Sequence, residues 1–98
     1  MEKATSSSCH IVEQVLGNLG RLRILGVLAQ RGFPSYTRYG LEKATRLKPA
    51  AVRSHLRILV DLGLVREIDV KPTVYRIDDQ KPIVNALVRF MRETAYSN

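Results

Sequence analysis

Ninety-eight residues, 45% apolar and 26% charged, suffice for one small globular domain with a modest core, and no apolar run approaches the roughly 18 residues that span a bilayer. Cys9 is the single cysteine, which excludes an intrachain disulfide and leaves too few thiolates for a structural zinc site. The formal charge of +7 is unevenly spread: between Ser35 and Arg57 the cations Arg38, Lys43, Arg46, Lys48, Arg53 and Arg57 face the single acid Glu42, whereas residues 1–34 contribute +2 and residues 58–98 sum to zero. A positive field gathered on one segment attracts a polyanion, and here that points to nucleic acid.

Residues 1–8 are a polar tail without the apolar stretch of a secretion signal, so a cytoplasmic protein is expected, with one domain over residues 9–98. Ile11, Val12, Val15 and Leu16 recur at helical spacing over residues 9–16, where Ser7 or Ser8 can cap a first helix. A second helix is predicted from about 19 to 31, with Asn18 as its cap, Leu22, Leu25 and Leu28 on one stripe, and Arg21 and Arg23 outside it. Gly32-Phe33-Pro34 ends it. The third helix is expected to start at Ser35 or Tyr36 and to run to Arg46, burying Leu41 and either Ala44 or Thr45.

Residues 49–62 are the most informative stretch. At about 100° per residue Val52, Leu56, Leu59 and Val60 share one face, while Ala50, Arg53, Ser54 and Arg57 project from the other. Pro49 suits the first turn, where a missing N–H costs nothing, and Gly63 suits the left-handed position beyond the last turn, with Leu64 folding back. Lys48 is a poor N-cap, and its charge is expected to serve a phosphate. A helix with one packed and one basic face, joined to the preceding helix by a short turn, has helix-turn-helix geometry. His55 falls about 60° from Val52 on the helical wheel, so a packed boundary histidine is expected there rather than a ligand or base reader.

Residues 64–70 and 73–78 are rich in β-branched and aromatic side chains and are separated by Lys71-Pro72, which predicts a hairpin. A last helix follows over about 80–94, with Ile83, Ala86, Leu87, Phe90 and Met91 on an apolar face.

Arg53, in the middle of the exposed face, is the expected base contact, since its fork matches the O6 and N7 acceptors of guanine. Ser54 suits a base or a phosphate, and Ala50 a thymine methyl. Arg38, Lys43, Arg46, Lys48 and Arg57 are assigned to phosphates, which position a protein without reading sequence. Tyr36 and Tyr39, three apart, can share a face and bond phosphates, or one can pack under the turn. On the hairpin, Arg66, Lys71 and Arg76 favour DNA while Glu67 and Asp69 oppose it, so only a weak contact from the tip is expected. Cys9-His10 has no second ligand cluster nearby, so no metal and no cofactor is expected. With no glycine-rich phosphate loop, no paired acids and no nucleophile partner for either histidine, an enzyme is not expected.

The order helix, helix, helix, helix, hairpin, helix carries Arg21-Leu22-Arg23-Ile24-Leu25, His55-Leu56-Arg57-Ile58-Leu59, Gly63-Leu64-Val65 and Val74-Tyr75-Arg76-Ile77. In these it resembles the winged helix-turn-helix regulators of the ArsR type over about residues 11–91, a similarity that extends to MarR-like and small archaeal winged-helix regulators. The resemblance implies a mainly α, α+β winged helix-turn-helix fold and a homodimeric repressor of a partly palindromic operator in double-stranded DNA. Helix 49–62 would enter the major groove, and hairpin 64–78 would be the wing. ArsR-type metal sensors carry a cysteine pair in the helix before the recognition helix, or acid and histidine ligands on the last helix. Residues 36–43 and 82–93 hold neither Cys nor His, so metal sensing is not expected. The dimer interface is expected on the first and last helices, from Ile11, Val15, Ile83, Leu87, Phe90 and Met91. Two other readings stay open: a non-specific architectural DNA- or RNA-binding protein, and a winged-helix interaction module of a larger complex, against which the basic face argues.

Overall fold

The computed structural model describes residues 15–93. In chain order these form α1 (Leu19–Leu28), α2 (Arg38–Thr45), α3 (Pro49–Asp61), β1 (Val65–Ile68), β2 (Val74–Ile77) and α4 (Pro82–Glu93), the α+β winged-helix arrangement expected from the sequence. Of the helix predicted over residues 9–16, Val15 and Leu16 are described and are helical; the rest of it lies outside the described residues.

Local chemistry sets most boundaries. Asn18 Oδ1 accepts the Arg21 amide at 3.1 Å and opens α1, and Thr37 Oγ1 accepts the Gly40 amide at 3.0 Å and opens α2. α1 stops at Leu28, short of the expected Arg31, as the chain turns through the left-handed residues Gly32 (φ 84°) and Phe33 (φ 47°). Phe33 is fixed in that conformation from two sides. Arg76 Nε donates to its carbonyl at 2.9 Å, and the Arg92 guanidinium lies over its ring at 5.6 Å.

α2 starts at Arg38 rather than at Ser35 or Tyr36, because Tyr36 pairs with Tyr75 of β2 instead. The two backbones exchange N–H···O bonds of 2.9 and 2.7 Å, which adds a one-residue third strand beside β2. Within α2, Leu41 and Thr45 are buried and Ala44 is exposed. α3 begins with Pro49 in its first turn after an extended Lys48 that makes no side-chain cap. It ends with both bonds of a Schellman stop: Gly63 (φ 79°) donates to the Val60 carbonyl at 2.9 Å and Leu64 to the Leu59 carbonyl at 3.0 Å. β1 and β2 are antiparallel, with Val65 opposite Ile77 and Ile68 opposite Val74.

One core unites the elements. Ile24, Leu25 and Leu28 of α1, Leu41 of α2 and Val52 and Leu59 of α3 meet Leu64 and Ile77 of the hairpin, each at most 1% exposed. Leu22, expected on the buried stripe of α1, is only half-buried, and Ile24 fills that place. α4 folds back over this core through Val84, Leu87, Val88 and Met91, and Arg92 Nη2 donates to the Ala29 carbonyl at 3.1 Å, fastening α4 to the end of α1. Its buried face is therefore turned from the expected one, leaving Ala86 and Phe90 exposed.

The residues expected at a dimer surface differ in their exposure within one protomer. Val15, Leu87 and Met91 are 0%, 8% and 2% exposed within a single protomer. Ile83 is half-buried, Phe90 is 51% exposed, and Ile11 lies outside the described residues.

Candidate nucleic-acid interface

α2 and α3 are joined by the three-residue turn 46–48, and this turn is built from within. Arg46 adopts a left-handed conformation (φ 63°, ψ 24°) and donates its amide to the Glu42 carbonyl at 2.8 Å. Thr45 Oγ1 donates to the Leu41 carbonyl at 2.6 Å and accepts the Leu47 amide at 3.2 Å, so one buried hydroxyl ties the last turn of α2 to the connection. α3 then leans its Val52, Leu56 and Leu59 face on the core and presents Ala50, Arg53, Ser54 and Arg57 outward. All four are exposed, as are Lys48 at the start of α3 and Arg46 in the turn.

His55 lies at the boundary, half-buried against α1. Its Nδ1 accepts from Arg21 Nε at 3.3 Å, so Arg21 is half-buried rather than outside the domain. Burial, and secondarily the Arg21 cation, lowers the imidazole pKa below its usual value. Gly20 makes room for the ring, since a Cβ there would lie 2.6 Å from His55 Nε2.

Tyr36 and Tyr39 do not share a helical face, because Tyr36 precedes the helix and is half-buried in the pairing with Tyr75. Tyr39 is 65% exposed, with Lys43 Nζ over its ring at 5.5 Å. On the hairpin Arg66 is exposed and Lys71 stands in the exposed loop 69–73, which is closed by a Thr73 Oγ1 to Asp69 bond of 3.3 Å. Arg76, the cross-strand partner of Arg66, turns inward to the Phe33 carbonyl and lies 4.0 Å from Asp79. Its guanidinium braces the domain, and only its strand position matches the expected wing contact.

Between α3 and the hairpin runs a groove of about 360 Å³, floored by Leu56 and Val60 and lined by Arg38, Arg53, Arg57, Asp61, Glu67 and Tyr75. It brings Arg38 of α2 together with the two arginines of α3. The Tyr75 hydroxyl donates to Glu67 Oε2 at 3.3 Å; burial first, then the Glu67 carboxylate, raises its pKa, with Arg38 acting in the opposite sense. Tyr75 therefore stays protonated and remains a donor at neutral pH. Sequence reasoning placed Tyr75 only as a strand residue. The signal for its inward ring was the alternation along β2, with Tyr75 and Ile77 buried and Val74 and Arg76 half-buried.

Among the described residues no group of three His, Cys, Asp or Glu side chains is placed to hold a metal ion, and no helix is long and apolar enough to cross a membrane. Cys9 and His10 lie outside the described residues.

A helix pair with a tight turn, an outward basic face on the second helix and a hairpin beside it define a winged helix-turn-helix DNA-binding domain. The model of the bacterial regulatory protein, arsR family, matches residues 18–67, just over half of the chain, which belongs to that family of DNA-binding transcriptional regulators. A search of curated proteins and one of solved structures found no match.

Proposed function

We propose that this regulator is a cytoplasmic homodimer that represses transcription by occupying an inverted-repeat operator, binding it sequence-specifically and without a metal. The observation that supports this most strongly is the exposed face of α3, where Arg53 stands among Ala50, Ser54 and Arg57 with no apolar side chain larger than alanine between them. Arg53 reads a guanine, Ser54 and Ala50 adjoin it, and Arg38, Lys43, Arg46, Lys48, Arg57 and the exposed Tyr39 meet phosphates. Lys71 and Arg66 supply the wing contact. Self-association uses the exposed part of α4 around Phe90 and Ile83 together with the first helix.

Titration of a selected duplex with Arg53→Ala tests the assignment. The variant should lose about 1–3 kcal/mol on the specific site and relax one base position in each half-site. Lys43→Ala or Arg46→Ala should weaken all sequences alike and reduce the salt slope by about 0.9 for each phosphate no longer neutralised. An Arg53→Ala variant with unchanged affinity and unchanged preference would show that α3 does not read bases through this residue.

A further inference from the structure

The groove between α3 and the hairpin is mixed in charge, which a simple phosphate-binding wall does not explain. Asp61, on α3 with Arg53 and Arg57, and Glu67, on β1, line it together with Arg38, and each carboxylate works against the counterion release that drives DNA binding. Two observations give Glu67 a purpose. The Tyr75 ring is buried at 8% exposure, yet its hydroxyl reaches the groove and donates to Glu67 at 3.3 Å, well beyond the 2.5–2.7 Å of a strong bond from a hydroxyl to a carboxylate. Among the described residues, moreover, the closed ion pair is Arg76 with Asp79, and none of the three groove guanidiniums lies within 4.0 Å of Asp61 or Glu67. The groove thus holds strong donors that its carboxylates have left open.

Its position matters equally. When a recognition helix lies in the major groove and the hairpin beside it approaches the neighbouring minor groove, the strand that separates the two grooves must pass between helix and hairpin. Resting on the DNA reading above, we propose that this groove seats one backbone phosphodiester, with Arg38 and Arg57 as its cationic walls and the Tyr75 hydroxyl, turned from Glu67 to the phosphate, as its neutral donor. Glu67 is a positioning residue. Its carboxylate, beside the Tyr75 hydroxyl, repels a phosphate from the hairpin side of the groove and holds it toward Arg38 and Arg57, at the outer reach of that hydroxyl, and so fixes the register from which Arg53, at the groove edge, meets its base.

The test is equilibrium binding of the full chain to a selected duplex and to a random one across a salt series, for wild type, Tyr75→Phe, Glu67→Gln and Glu67→Asp. Tyr75→Phe keeps the buried ring and should weaken both duplexes by about three- to tenfold, the range of one modest hydrogen bond. Glu67→Gln should strengthen the random duplex by about tenfold and the selected one by less, lowering discrimination and steepening the salt dependence, whereas Glu67→Asp should retain the wild-type ratio. Inorganic phosphate and a nucleoside monophosphate, added as competitors, separate the two sources of a phosphate. If either competes at low millimolar concentration in wild type but not in Tyr75→Phe, while duplex affinity is the same in both, the seat serves a small ligand and the proposal is overturned. A wild-type chain that binds no duplex removes the DNA reading and the seat with it; duplex binding indifferent to Tyr75→Phe and Glu67→Gln removes the seat alone.

Discussion

His55 stands between Ser54 and Leu56 on the recognition helix but serves the α1 contact, accepting the Arg21 Nε–H on Nδ1 beside Gly20. Only the neutral imidazole can accept that bond, and protonation would set two cations together. Its pKa is lowered from 6.5 in the folded state, so the native protein binds fewer protons here than the unfolded chain. The stability this adds is fully present above pH 6.5 and is lost as pH falls through the depressed native pKa. Thermal melting between pH 7.5 and pH 5 should show it as a fall in Tm that His55→Asn reduces, since the asparagine carbonyl keeps an acceptor near Nδ1 without titrating. Equal pH dependence in wild type and His55→Asn would mean that His55 is not the titrating group. The helical wheel places this residue on the packed side; it cannot name Arg21 as its partner, because that contact joins two helices.

At the scale of elements, legibility follows locality. α3 can be read from the sequence nearly to the residue because Pro49, the alternating faces and Gly63 are all within the segment they define. The start of α2 cannot, because Tyr36 is claimed by Tyr75, a strand residue far along the chain, and no local signal announces such a pairing. The sequence draws the apolar face of α4 through Phe90 where the core takes Val84 and Val88, since the segment offers apolar residues on both choices and only tertiary packing decides. Of the candidate site, the exposed cations are legible because charge and helical spacing suffice, whereas the groove is not, because α2, α3 and both strands contribute to it. The helix-turn-helix connection supplies its own test. Thr45→Val is nearly isosteric but removes the hydroxyl that bonds the Leu41 carbonyl and the Leu47 amide, so it should cost about 1–3 kcal/mol in denaturant unfolding. A cost near zero would mean that the turn does not depend on that hydroxyl.

At the scale of the whole molecule, the proposed dimer has to present two recognition helices together. The proposed interface takes the exposed side of α4, where Phe90 is 51% exposed, whereas Val84, Leu87, Val88 and Met91 are buried. Phe90→Asp should therefore leave the protomer folded while shifting sedimentation toward the monomer and weakening operator binding. Met91→Asp, at 2% exposure, should unfold it instead, by burying an unpaired charge. A folded Phe90→Asp protein that sediments as wild type would exclude this part of α4 from the interface.

Selection of bound duplexes from a random pool by the wild-type protein, repeated with a chelator present, tests the central claim most directly. A sequence-specific twofold dimer should recover an inverted repeat whose half-site centres are about 10 bp apart or a multiple of that, with the same sequence and yield in the chelator. Recovery of an unenriched pool that nevertheless binds with a steep salt dependence would contradict it and leave a non-specific DNA-binding protein, in which the basic face of α3 meets the backbone alone.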